Sequence, residues 1–266
     1  MTIDIRGLTY SYGTRKVLKG VDLTITPGEF VALVGVNGCG KSTLLKLIAG
    51  LLPPDEGAVT LDGTPLRALS RRAIARRLAV LHQSLPPVPG LTVRQLVRQG
   101  GYPSHGPLRM VWQPEHDPGT EEALALAGVT HLADRLLDTL SGGERQRTRL
   151  ALAVAQRTRI LLLDEPTAHL DVRHQLEVLT LVRELREARG LTVVAVLHEL
   201  DHAARFAERI VALRDGRVHA DGPPYRVVTP DLLAEVFAVR GRVVADEVLG
   251  VPRALIDDPL TESRTI

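Results

Sequence analysis

Short apolar runs recur along the chain, separated by turn residues, and their spacing predicts strands alternating with helices. Ile3–Thr9 and Val21–Thr26 read as strands, the first followed by a turn at Gly13. Phe30–Val34 is apolar throughout and ends at a glycine-rich turn, after which Ser42–Ala49 has helical character. Ala58–Leu61 leads into an Asp62-Gly63 turn, Arg71–Arg77 is a basic helical stretch, and Leu78–Leu81 is another short strand. The character changes at Pro86–Gly90. From Thr92 to about Arg149 the pattern is helical, broken by a Gly/Pro-rich section from Gly100 to Gly119, which predicts an inserted helical lobe over about 86–150. Strand-like runs return at Ile160–Leu163, Thr192–Leu197 and Ile210–Arg214, with a long helix between Val172 and Ala188. Asp215-Gly216 makes a turn from which Arg217–Ala220 returns. This alternation predicts an α/β chain with a mostly parallel sheet and helices on its faces. Beyond about Gly241 the sequence is a short, Pro-punctuated tail, too small for a separate regulatory domain.

Composition narrows the classes. The 266 residues suffice for one large domain or two closely joined lobes, and no apolar run approaches the roughly 20 residues needed to cross a bilayer. The N-terminus has acidic and polar residues where a signal peptide has an apolar run, so export is not expected. A formal net charge of +2 leaves no nucleic-acid footprint, and 3% aromatic residues argue against stacking platforms for single strands. The single cysteine, Cys39, excludes an intrachain disulfide framework and a Cys-rich metal site.

Two motifs carry chemistry. Gly35-Val36-Asn37-Gly38-Cys39-Gly40-Lys41-Ser42-Thr43 fits the phosphate-loop pattern G-x-x-x-x-G-K-[ST] between a strand and a helix. Its glycines let backbone N–H groups turn inward around phosphate oxygens, and the helix adds its positive end. Lys41 would reach the β- and γ-phosphates of ATP, and the Ser42 hydroxyl would complete a Mg²⁺ shell. Cys39 stands where a helix end lowers a thiol pKa, although any small residue fits there. The second motif is Ile160–Thr167, an apolar strand ending in Asp164-Glu165-Pro166-Thr167. Asp164 is placed to hold Mg²⁺, and Glu165 to orient or deprotonate an attacking water. His198, after another apolar run, suits a polar contact with the γ-phosphate. Gln83 would link Mg²⁺ to movement of the helical lobe. Tyr12 and Tyr10 compete as an adenine-stacking ring.

Between the two motifs lies Leu140-Ser141-Gly142-Gly143-Glu144-Arg145-Gln146, which resembles the signature of the ATP-binding cassette family. The resemblance covers residues 1–240 and leaves 241–266 as the tail. It implies a P-loop NTPase core with a mostly parallel sheet, an N-terminal antiparallel β subdomain and the inserted α-helical subdomain. In that family the signature begins a helix and caps the phosphates of a nucleotide held by another subunit, so Ser141, Gly143 and nearby N–H groups are the implied donors. Two copies would sandwich two ATP molecules head to tail. By the same resemblance Tyr12 is the adenine-stacking aromatic, Gln83 the lobe-coupling glutamine and Glu165 the catalytic base. Asp171 passes information between sites, and His198 is the switch histidine. Glu199 departs from the aspartate common after that histidine.

Val93–Val97 followed by Gly100-Gly101-Tyr102-Pro103-Ser104-His105 resembles the insert of importers for ferric siderophores, haem and vitamin B12, with Gly101 in place of their arginine. Leu197–Leu200 and the short tail are also similar to this subgroup. The expectation is an ATP hydrolase at the cytoplasmic face of a membrane, paired with a second copy of itself. Its other partners would be transmembrane permease subunits, gripped by the region from Gln83 to Tyr102, and an extracytoplasmic binding protein. No nucleic-acid partner is expected. Export, and soluble roles in repair, translation or iron–sulfur assembly, are the rival classes; the chain lacks the long coiled-coil insertion and fused second cassette usual in the repair and translation groups.

Overall fold

The computed structural model describes residues 1–82, 89–104 and 116–260. Its contacts divide the chain into two compact units, one formed by Thr2–Pro65 with Val194–Ile266, the other by Met1 with Leu66–Val193.

In the first of these units, β1 (Ile3–Tyr12), β2 (Arg15–Ile25), β4 (Glu56–Leu61) and β5 (Thr64–Pro65) form an antiparallel sheet in the order β2-β1-β4-β5. The alternation seen in the sequence explains which face it hides: Ile3, Ile5, Leu8, Leu18, Val21 and Ile25 are fully buried. A separate set of strands carries the phosphate loop. Here β3 (Phe30–Val34), buried at every position, runs parallel to β9 (Arg209–Arg214), and β10 (Arg217–Gly222) lies antiparallel to β9. Strands buried on both faces read as continuous apolar runs rather than as alternation, which is why β3 and β9 have the sequences they do. After β3 the chain passes through the glycine-rich turn into α1 (Lys41–Ile48). The end of β8 (Thr192–Val196) also belongs here, and the Leu197 N–H donates to the Leu33 carbonyl at 3.1 Å.

The tail holds more order than its sequence suggested. Residues Val239–Asp246 (β11) and Val251–Pro259 (β12) pair as an antiparallel hairpin. The Asp246 carboxylate closes its turn by accepting from the Val248 and Leu249 N–H groups, each at 3.0 Å. The hairpin is tied down by the Ala254 N–H, which donates to Asp201 at 3.1 Å on the helix Leu200–Phe206.

In the second unit β6 (Leu78–Leu81) runs parallel to β7 (Ile160–Asp164), and β8 starts beside them, its Thr192 N–H donating to Arg159 O at 2.9 Å. The helices α2 (Arg71–Ala75), α3 (Val93–Arg98), α4 (Pro118–Leu126), α5 (Gly142–Ala155) and α6 (Val172–Arg189) complete it. Val93, Val97, Ala123, Leu124, Leu150 and Val154 are buried on α3, α4 and α5. Among them sits the buried Arg94, whose charge is answered by Glu121 and by Asp134 at 3.2 Å. Gln156, at the end of α5, donates to the Ala75 and Leu78 carbonyls at 2.6 and 3.2 Å, which fixes that helix against the start of β6. Each of these five helices begins with a side chain that accepts a backbone N–H: Ser70, Thr92, Asp117, Ser141 and Asp171 respectively.

Candidate functional site

The phosphate loop is shaped by glycines where no other residue fits. Gly40 caps α1 in a left-handed conformation (φ 111°), and an added Cβ would stand 2.6 Å from Leu18 Cδ2. At Gly35 (φ 140°) an added Cβ would run into the Leu213 carbonyl. The cap residue Gly40 has no side chain to bond the first-turn N–H groups of α1. Lys41 is buried at 5% exposure, and its ammonium donates to the Gly35 and Val36 carbonyls at 2.7 and 2.9 Å. A cation held by the loop's own backbone is in place to exchange those oxygens for phosphate oxygens. Ser42 and Thr43 follow in the first turn of the same helix.

At Cys39 the surroundings favour the plainer reading, a small side chain that fits the loop. The thiol is 5% exposed, and burial pushes it above its ordinary value, with the Lys41 charge and nearby N–H groups only partly opposing that. Desolvation outweighs the helix end, so this is a quiet thiol rather than an activated one.

Two more expected residues lie in the same unit. Tyr12 ends β1 and is 48% exposed, with Tyr10 packed edge-on against it at 4.9 Å between ring centroids. Its register partner Arg15 reaches to 3.6 Å from the position a Cβ would take on Gly38, so this turn lies beside the phosphate loop. His198 is exposed, and it leaves the end of β8 next to the point where Gly35 leaves β3.

The second unit brings together the remaining described candidates. Asp164 ends β7 and is 5% exposed. Glu165 follows at φ 51°, a left-handed backbone that costs a non-glycine residue about 1–3 kcal/mol and is characteristic of functional turns. The next carbonyl, on Pro166, accepts from the buried Gln146 amide at 2.7 Å, which ties the carboxylate turn to the signature helix α5. At the start of α5 a capping box is closed: the Glu144 N–H donates to Ser141 Oγ at 3.3 Å, and the Ser141 N–H donates to Glu144 Oε2 at 2.7 Å. That second bond holds the Glu144 carboxyl below its ordinary pKa. Asp171 caps α6 by accepting from the His174 N–H at 2.9 Å, and its carboxyl is lowered chiefly by that bond. Gln83 lies outside the described residues.

Arg15, Gln146 and His174 were not assigned roles from sequence. Gln146 stood inside the signature motif, and His174 stands three residues after Asp171, the spacing at which a helix cap meets its partner. Among the described residues no group of three or more His, Cys, Asp or Glu is placed to hold a metal ion. Ser42 and Asp164 nonetheless offer the hard oxygen donors that Mg²⁺ takes alongside water and phosphate. Among the described residues no helix is long and apolar enough to cross a membrane.

The family described as ABC transporter matches residues 18–168. The ferric enterobactin transport ATP-binding protein of Escherichia coli (strain K12) is 42% identical over 245 residues, 92% of this chain and 90% of that protein. The hemin import ATP-binding protein of Bordetella pertussis is 42% identical over 262 residues, 94% of this chain and 97% of that protein. A dimeric bacterial ABC transporter cassette of known structure superposes with a TM-score of 0.70 at 31% identity, covering 83% of this chain and 98% of that one.

Proposed function

We propose, from the premise that the chain belongs to the ABC transporter family as an ATP-hydrolysing subunit, that it powers uptake of a ferric siderophore or another iron chelate through a separate permease. Family membership implies ATP as substrate and Mg²⁺ as its companion. The observation that carries the import reading is the near end-to-end match to a ferric chelate transport protein at 42% identity. The match to a hemin import protein at the same identity supports haem as the second reading, and cobalamin stands with it as an alternative cargo of the same subgroup.

On this reading each candidate residue has a job. Tyr12 stacks on adenine. Asn37, Cys39 and the glycines Gly35, Gly38 and Gly40 shape the backbone cradle, and Lys41 leaves its two carbonyl oxygens for the β- and γ-phosphates. Ser42 and Asp164 would hold Mg²⁺, which would supply positive charge against the phosphates, and Gln83 would couple that site to the helical lobe. Thr43 sits in the first helical turn on the phosphate side. Glu165 accepts the proton of a water whose oxygen attacks the γ-phosphorus. The bond to the bridging oxygen breaks, and ADP and inorganic phosphate result. His198 donates to the γ-phosphate. Ser141 and Gly143 cap the phosphates of a nucleotide held by a second copy, and Asp171 carries information between the two sites. ATP binding closes the pair, and hydrolysis reopens it.

The partners are two matched membrane subunits and an extracytoplasmic protein that presents the chelate, with this chain peripheral at the cytoplasmic face. The test is uptake of a labelled ferric hydroxamate in source cells carrying either the native chain or Glu165→Gln at equal abundance. Uptake lost in the variant supports iron-chelate import. Unchanged uptake, with no redundant importer active, removes that cargo and moves haem and cobalamin forward.

A further inference from the structure

The signature helix and the acid Asp171 are joined by one side chain that neither motif contains. His174 lies on the first turn of α6, with 38% of its side chain exposed. Its Nδ1 is 2.8 Å from Asp171 Oδ1, the same oxygen that accepts the His174 backbone N–H at 2.9 Å. An ionised carboxylate only accepts, so Nδ1 carries the proton and the ring is held in one orientation. The opposite edge of that ring covers Gly143, the second residue of α5. A Cβ built on Gly143 would collide with the ring, lying 2.9 Å from Cγ and 3.0 Å from Nε2. At Gly142, one residue earlier, a Cβ would meet only Leu170 Cδ2 at an ordinary 3.5 Å. Of the two adjacent glycines, Gly143 is therefore the one at which a Cβ would displace a neighbour, and the neighbour is an imidazole that Asp171 orients.

We propose that His174 is a positioning residue that locks the phosphate-capping end of the signature helix to Asp171, so that the two move as one piece. This rests on the reading that Ser141 and Gly143 act on a nucleotide held by a second copy. His174 does not touch nucleotide. It sets the angle at which the start of α5 is offered, with the Gln146 bond to Pro166 as the other tether between α5 and its surroundings.

The test pairs kinetics with a double-mutant cycle. Gly143→Ala keeps the backbone N–H but forces the ring away, and is expected to lower kcat by about tenfold to a hundredfold, the cost of misplacing a group by roughly an ångström. Adding His174→Ala is expected to cost little further, because the contact between ring and helix is already broken, a non-additivity that independent sites do not show. Gly142→Ala should be much milder. His174→Asn keeps an amide donor for Asp171 while losing the edge over Gly143. It is expected to lower kcat with an unchanged melting temperature and unchanged nucleotide affinity of the isolated chain, which a general packing role would not produce. In a Glu165→Gln background, ATP-driven dimerisation should weaken when His174→Asn is added. A His174→Ala loss that adds in full to the Gly143→Ala defect, or equal dimerisation with and without His174→Asn, overturns the proposal. A Glu165→Gln chain that stays monomeric in ATP overturns instead the two-copy reading beneath it.

Discussion

Two helices in this chain begin at expected phosphate contacts, and they begin in opposite ways. The start of α1 is buried and capped by Gly40 without any side chain, and the nearest cation, Lys41, is held by loop carbonyls. The start of α5 exposes Ser141 and Gly142 and closes its donors in a reciprocal Ser141–Glu144 box. A helix start whose cap residue offers no side chain leaves its first-turn N–H groups to an anion, and Lys41 turns to meet it. An N-terminus already satisfied by its own cap has to exchange bonds before it can receive one, and a cap of this kind contributes about 0.5–2 kcal/mol. On the proposed function, the first end binds nucleotide in a lone chain, and the second engages only when a nucleotide already held elsewhere is brought to it by closure of a pair.

The largest effect separating the two ends should come from Lys41→Ala. Losing that contact is expected to weaken nucleotide binding by the isolated chain and to cost a factor of about 10² or more in rate. A fluorescent ATP analogue and steady-state turnover would read both. Ser141→Ala should behave differently: a stability loss of about 0.5–2 kcal/mol in urea unfolding, a lower kcat, and unchanged nucleotide affinity of the lone chain. If Ser141→Ala weakens that affinity as Lys41→Ala does, the division between the two ends fails.

A smaller effect concerns Cys39, beside the first helix. Its raised pKa and burial predict alkylation in the free chain about tenfold or more slower than for an exposed thiol at mildly alkaline pH. Complete modification should then block nucleotide binding sterically. Fast alkylation, or full modification with intact affinity, would show that the loop is looser than its packing implies. The smallest effect belongs to Glu144. Its folded pKa is depressed, so the box's contribution is present above the ordinary value of 4.5 and is lost as pH falls through the lower folded value. The stability gap between the native chain and Glu144→Ala should be full near neutral pH and shrink in acid, with urea midpoints as the readout.

What the sequence revealed follows from the kind of constraint each residue obeys. Phe30–Val34, Leu78–Leu81 and the glycine-rich turn were legible because continuous burial and left-handed backbone demand particular residue types locally. The hairpin of β11 and β12 was not read, because two-stranded pairing with one exposed face leaves only weak alternation, interrupted by Gly241 and Pro252. Within the site, Lys41, Asp164 and Glu165 carry their chemistry in their side chains and could be picked out one by one. His174 and Gln146 could not: their roles are contacts to Gly143 and to the Pro166 carbonyl, and a partner brought close by folding has no signature along the chain.

The central claim is that neither helix end makes a working site without a second copy, and sedimentation of Glu165→Gln tests it most directly. The account predicts a monomer without nucleotide, and a stable dimer with ATP and Mg²⁺ that reverts to monomer with ADP. A chain that stays monomeric with ATP, while the native protein hydrolyses ATP at a specific rate independent of its own concentration, would contradict it.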